Sequence, residues 1–226
     1  LPGMNLTRSE ARERAELISV DSYDVNLDLT RGDEVFGSTT VVRFSARQGA
    51  STFIDAVTAT VHRVTLNGVD LNVEEVSDGV RIQLPNLAAS NELVVEADAL
   101  YMNTGEGLHR FVDPVDNEVY LYSQFEVPDS RRMFAVFEQP DLKASFRFTV
   151  TAPSHWDVIS NSPLRSPFRP VPWRRAARMP RGPLTRRRGF PPTSPRSSPA
   201  RTSPSAVSSP APTAAPSRWA SLRASH

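Results

Sequence analysis

The 226-residue chain contains no cysteine. Disulfides and thiolate metal sites are thereby excluded, and the composition suits a reducing compartment. Long apolar runs are also missing: no stretch approaches the ~20 residues of a membrane span, and Leu1 to Val20 has no continuous apolar core such as a signal peptide carries. A soluble, cytoplasmic protein with no membrane partner is the expectation. Gly105-Glu106-Gly107 lacks the third glycine and the Lys-Ser/Thr ending of a phosphate-binding loop. One further absence is local, because residues 164–226 contain no Asp, Glu or Lys.

That last absence divides the chain. Residues 1–163 hold all 25 acidic side chains against 13 basic ones, whereas 164–226 hold 13 Arg, 13 Pro and 11 Ser. The formal net charge of +1 is therefore the near-cancellation of an acidic body and a basic tail. The tail has few residues that could build a core and is expected to be disordered. The body is long enough to bury one.

Along the body, Thr7 with Glu10 three residues later forms a capping box, which predicts a short helix over Thr7 to Ile18. Residues 1–18 read as a lead-in. From Ser19 the period becomes two, with Tyr23, Val25, Leu27 and Leu29 on one face. Arg31-Gly32-Asp33 supplies a turn, and Phe36, Thr40, Val42 and Phe44 form the inner face of an antiparallel partner. Val61, Val64 and Leu66 lead into Asn67-Gly68, the strongest short hairpin signal, and Val69, Leu71 and Val73 return from it. Val80 to Leu84, Leu93 to Tyr101, Glu118 to Glu126, Phe146 to Val150 and Trp156 to Ser160 add further strands, with a loop from Asn103 to Asp116. The pattern predicts a mainly β fold, an antiparallel sandwich or large curved sheet over residues 19–163.

Within Ser123 to Lys143, carboxylates, paired arginines and aromatics crowd together. Gln124 and Glu126 flank Phe125, so a strand running through them sends both polar side chains to one face. An adjacent carboxylate and amide can receive a small cationic group, the first by charge and the second as an extra acceptor. The bland alternative is polar groups on a solvated strand face.

The segment Gln124-Phe-Glu126, followed by Asp129-Ser-Arg131-Arg132-x-Phe134-x-x-Phe137-Glu138-Gln139-Pro140-x-x-Lys143-Ala-x-Phe146, resembles the aminopeptidase N family of zinc metallopeptidases. Gly107-Leu-His109-Arg110-Phe111 and the Val64 to Gly68 hairpin extend the likeness, which covers about residues 15–163. Glu138-Gln139 stands where Asp-Glu is frequent in the family, a mild departure expected to be structural. The resemblance implies a saddle-shaped β domain that packs on a thermolysin-like catalytic domain. It also implies that Glu126 binds the free α-amine of a peptide substrate while Gln124 helps to position its first residue. Arg131 and Arg132 are expected to hold the segment by pairing with nearby carboxylates.

The family's zinc motif, His-Glu-x-x-His, is absent: no two of His62, His109, His155 and His226 are four residues apart. The Gly-x-Met-x-Asn substrate strand is missing as well. The expectation is therefore the amino-terminal domain of a zinc aminopeptidase, truncated before its catalytic domain, with no catalytic or metal-binding residue of its own and no activity alone. The tail, rich in residues with GC-rich codons and starting in mid-domain, reads as the product of a frameshift. The competing function is a non-enzymatic β binding module whose polybasic tail binds nucleic acid through counterion release, although the tail has neither a repeated motif nor a folded platform of stacking aromatics.

Overall fold

The first helix begins where its capping box predicts. In the computed structural model, which describes residues 5–126, 128–160 and the backbone of 220–224, α1 spans Arg8–Leu17. The Thr7 hydroxyl accepts from Glu10 N at 3.3 Å, and the Glu10 carboxylate accepts from Thr7 N at 2.8 Å. Its one buried residue is Arg14. A helix that buries only an arginine is docked by polar contacts, and those contacts are described below.

Strand β1 (Ile18–Asp28) follows directly. Ile18 and Val20 are buried, a register shift intervenes between Val20 and Ser22, and Tyr23, Val25 and Leu27 are buried after it. The bulge adds the one residue needed to keep both parities facing inward. β2 (Val35–Ala46) pairs with β1 antiparallel and buries Phe36, Thr40, Val42 and Phe44. β3 (Thr52–Asp55), too short for alternation to reveal, comes next. β4 (Thr60–Leu66) and β5 (Val69–Leu71) form the expected hairpin, with Asn67 at φ 53 and Gly68 at φ 80. Both central residues are left-handed, as a tight two-residue hairpin requires.

Val73, expected in the returning strand, opens the short helix α2 (Val73–Val76) instead. The Asn72 side chain accepts from Glu74 N and stops the strand by capping that turn. β6 (Arg81–Leu84) pairs with β3, and β7 (Ser90–Leu100) pairs with β2 and β4. The expected loop from Asn103 to Asp116 contains a strand, β8 (Gly107–Val112), that pairs with β9 (Val119–Gln124). A 3-10 turn at Ser130–Arg132, β10 (Ser145–Thr151), β11 (Trp156–Ser160) and β12 (Ala220–Ala224) complete the elements.

Among the described residues three sheets result: six strands in the order β10-β1-β2-β7-β4-β5, four in the order β11-β12-β9-β8, and the pair β3-β6. Among these strands pairing is antiparallel except between β1 and β10, which run parallel. These strands belong to one compact unit; a second, Arg174–Pro216, lies outside the described residues. The expectations for the tail, disorder and nucleic-acid binding, likewise fall outside them, apart from the backbone of β12.

The core is closed by a segment with no regular structure. Met133, Phe134, Ala135, Val136 and Phe137 are all buried, so their backbone groups need partners. Val136 exchanges both hydrogen bonds with Asp55 at 3.0 Å, Phe137 N donates to the Tyr23 hydroxyl at 3.1 Å, and Glu138 N donates to Asp55 Oδ2 at 3.2 Å. Burial pushes the Tyr23 phenol well above its ordinary pKa, so it remains a neutral acceptor.

Arg14 joins this closure to the helix. Its Nη1 meets Asp55 at 2.9 Å with both side chains 1% exposed, and its Nε donates to Gln139 Oε1 at 3.0 Å. Gln139 in turn donates to Ala11 O at 2.8 Å. Phe53 and Phe137 lie beside the guanidinium. Thus α1, β3 and the 133–139 segment are fastened through one buried cation.

Candidate functional site

The site is assembled by β8, β9 and the turn that follows β9. In the β8–β9 pair, Gly107 is the register partner of Gln124. Gln124 is half-buried and is the last residue of β9, so Glu126 lies beyond the strand. Pleat alternation alone therefore does not aim Glu126. Phe125 packs edge-on to Phe134, ring centroids 5.8 Å apart, which anchors the chain between the two polar residues. Glu126 is exposed, and its carbonyl accepts from Asp129 N at 2.8 Å.

Past that turn the two arginines part. Arg131 is buried, 3% exposed, and its carbonyl accepts from Val57 N at 2.8 Å. Its backbone N–H donates to Glu138 Oε2 at 2.8 Å, and the Ser130 hydroxyl donates to the same carboxylate at 2.6 Å. Burial raises the Glu138 pKa above the usual range, and the bonds from Ser130 and Arg131 N oppose the shift. Arg132 reaches outward: its Nε meets Asp129 Oδ1 at 3.1 Å and its Nη2 meets Glu106 Oε2 at 3.3 Å. The expected carboxylate partners of Arg132 are thus Asp129 and Glu106.

Glu106 and the strand character of β8 were not legible as parts of this site. The available signal was the Gly105-x-Gly107 spacing, since both glycines adopt positive φ, 91° and 60°. Gly107 has a second constraint: a Cβ there would lie 2.8 Å from the Cβ of Arg132. His109, within the expected Asn103 to Asp116 loop, sits on β8, stacks on Tyr122 with centroids 4.6 Å apart, and accepts from Gly105 N through Nδ1 at 3.0 Å.

Among the described residues, no three His, Cys, Asp or Glu side chains converge as a metal site requires. His62 meets Asp98 at 2.9 Å, and His155 lies edge-on to Trp156. Nor is any described helix long and apolar enough to cross a membrane. A groove of about 510 Å³ runs between α1 and the β3–β6 pair, lined by Glu10, Glu13, Arg14 and Phe53 among others. Neither Gln124 nor Glu126 lines it.

Comparison with known proteins returns one family model, described as the Peptidase M1 N-terminal domain, over residues 19–169. Aminopeptidase N of Streptomyces lividans is 58% identical over 182 residues, covering 76% of this chain and 21% of that protein. Human aminopeptidase N is 26% identical over 195 residues, covering 74% and 20%. The tricorn protease-interacting factor F2 of Thermoplasma acidophilum is 25% identical over 144 residues, covering 64% and 18%. The chain spans about a fifth of the length of these relatives.

Proposed function

Because the chain belongs to the M1 peptidase family, whose amino-terminal domain it carries, we propose that it provides the amine-binding half of a zinc aminopeptidase active site. Glu126 receives the terminal ammonium of a peptide, and Gln124 orients the first residue through its amide. An exopeptidase must measure distance from a free amino terminus, and a carboxylate held in place does so while recognising the charge. The observation that supports this reading is the pairing of an exposed carboxylate with a fixed backbone: Phe125 is inserted against Phe134, and the Glu126 carbonyl is closed into a turn.

The reaction served is hydrolytic release of amino-terminal residues. Zinc, when bound in a family member, supplies an activated water. No zinc ligand is assigned to this chain, whose sequence contains no His-Glu-x-x-His, and the chain alone is proposed to be inactive. Its packing partner is a thermolysin-like catalytic domain, a reading supported by half-exposed Phe146 and Phe148 on the edge strand β10. A cytoplasmic setting accompanies this function, since no cysteine calls for an oxidising compartment.

The test is a chimera in which residues 19–160 replace the matching segment of the Streptomyces lividans enzyme, assayed on an aminoacyl chromogenic amide. Glu126→Gln keeps the shape and removes the charge. Loss of a charge-assisted bond of about 1.5–3 kcal/mol predicts a fall in kcat/KM of roughly 10- to 100-fold. An active chimera whose kcat/KM is unmoved by Glu126→Gln refutes the assignment. Full chain supplied with zinc is expected to show no turnover; turnover abolished by Glu126→Ala contradicts the proposed inactivity.

A further inference from the structure

We propose that Arg132 and Glu106 are positioning residues for the amine anchor: their ion pair ties the loop before β8 to the turn after Glu126, and so fixes Glu126 beside Gln124. This inference rests on the amine-binding reading above. An exposed carboxylate beyond the end of its strand is a poor anchor if the backbone carrying it moves, because each binding event must then freeze that motion.

Four contacts remove that freedom. The Asp129 N–H donates to the Glu126 carbonyl at 2.8 Å, and the Arg132 N–H donates to the Asp129 carbonyl at 3.2 Å. The Arg132 guanidinium then doubles the link to Asp129 at 3.1 Å and extends to Glu106 at 3.3 Å. Glu106 immediately precedes Gly107, the register partner of Gln124. The Arg132 stem also occupies the space that a Gly107 side chain would take. One side chain thereby touches the backbone opposite Gln124 and the turn beyond Glu126.

The pair is not ordinary surface decoration. Arg132 and Asp129 are 22% and 15% exposed, so their contact is partly desolvated, whereas Glu106 at 43% is the weaker arm. The two acceptors require a forked donor. Lysine keeps the charge but not the fork.

Two measurements test the proposal. In the full chain, amide hydrogen exchange at Asp129 should accelerate about tenfold in Arg132→Ala, while amides of β1 and β2 are unmoved. In the chimera, Arg132→Ala should raise KM roughly fivefold with little change in kcat, the signature of lost substrate positioning by an intact catalytic centre. Arg132→Lys should recover part of the loss, and Glu106→Gln should show a smaller one. In a Glu126→Gln background, Arg132→Ala should add nothing further, because it acts through Glu126. Additive losses, or unchanged exchange at Asp129, overturn the proposal. If Arg132→Ala fails to fold, the Arg132→Lys and Glu106→Gln forms carry both measurements. If Glu126→Gln has no effect in an active chimera, the amine-binding reading itself falls, and exchange at Asp129 still decides whether Arg132 holds the turn.

Discussion

Replacing Arg14 by Met leaves the Asp55 carboxylate in the core with Glu138 N, at 3.2 Å, as its remaining hydrogen bond among those described. Both members of the pair are 1% exposed, so neither charge can turn to water. Breaking a buried pair from one side costs about 3–5 kcal/mol. Arg14 Nη2 has no acceptor among the described residues, which places the expected cost of Arg14→Met near the lower end of that range. Asp55→Val strands the guanidinium instead and should cost a similar amount. Removing both charges is different: Arg14→Met with Asp55→Val leaves the Gln139 Oε1 acceptor and the Glu138 N donor unmatched, both uncharged, while Gln139 keeps its bond to Ala11 O. Each costs about 1–3 kcal/mol, but one of the two is already lost in each single variant, which in addition leaves a buried charge unpaired. The double variant should therefore be no less stable than either single one. Urea unfolding of the full chain, followed by tryptophan fluorescence, measures all three. For a domain of this size each kcal/mol shifts Tm by about 2–4 °C, so single variants costing about 3 kcal/mol should also melt roughly 6–12 °C below the parent. Additive losses in the double variant, or a single variant within 1 kcal/mol of the parent, would refute the account of α1 as a helix fastened by one buried ion pair.

Three further outcomes follow from other contacts. Arg81, 4% exposed and 2.7 Å from Glu10, lowers the Glu10 pKa from 4.5 to about 2. A carboxylate depressed in the folded state stabilises it above the unfolded value, and that contribution is lost as pH falls from 4.5 toward 2. Glu10→Gln should flatten the acid limb of a urea-midpoint against pH profile over that window; an unchanged slope contradicts the assignment. Gly107→Ala should destabilise by about 1–2 kcal/mol from its positive φ alone, and more because Arg132 blocks the new methyl at 2.8 Å. Gly37→Ala should cost less in thermal denaturation, since the atoms it meets belong to the half-exposed, flexible Arg31 side chain.

The long strands were legible because one face of each is buried and period two survives in the residues: Tyr23, Val25 and Leu27, then Phe36, Val42 and Phe44, then Leu93, Val95 and Ala99. Asn67-Gly68 was legible because few residues tolerate its backbone angles. β3 and β8 escaped, the first because four residues carry no period and the second because glycines and a proline around it read as loop. The parallel pairing of β1 with β10 could not be read from either strand, since alternation states which face is buried and not which neighbour is beside it. Arg14 was invisible for a related reason. A charged residue on a short helix defaults to solvent, and only the convergence of Asp55, Gln139 and two aromatic rings makes its burial tolerable. At the site, Gln124, Phe125 and Arg132 could be picked out from their neighbours in the chain, but Glu106 reaches them only through the β8–β9 pairing.

The parallel contact between β1 and β10 also bears on the order in which a ribosome can complete this domain. Ser22 lies beside Ser145 and Asp28 beside Thr151, so β1 waits for more than a hundred residues before its second neighbour emerges. Its first neighbour, β2, is available almost at once through the Arg31 to Asp33 turn. Closing so long a loop is slow relative to forming a hairpin. During elongation, then, the nascent sheet presents the outer edge of β1 and one face of Tyr23, later stacked by Phe146 at 4.6 Å. During that interval the unpaired edge of β1 is open to pairing with another chain.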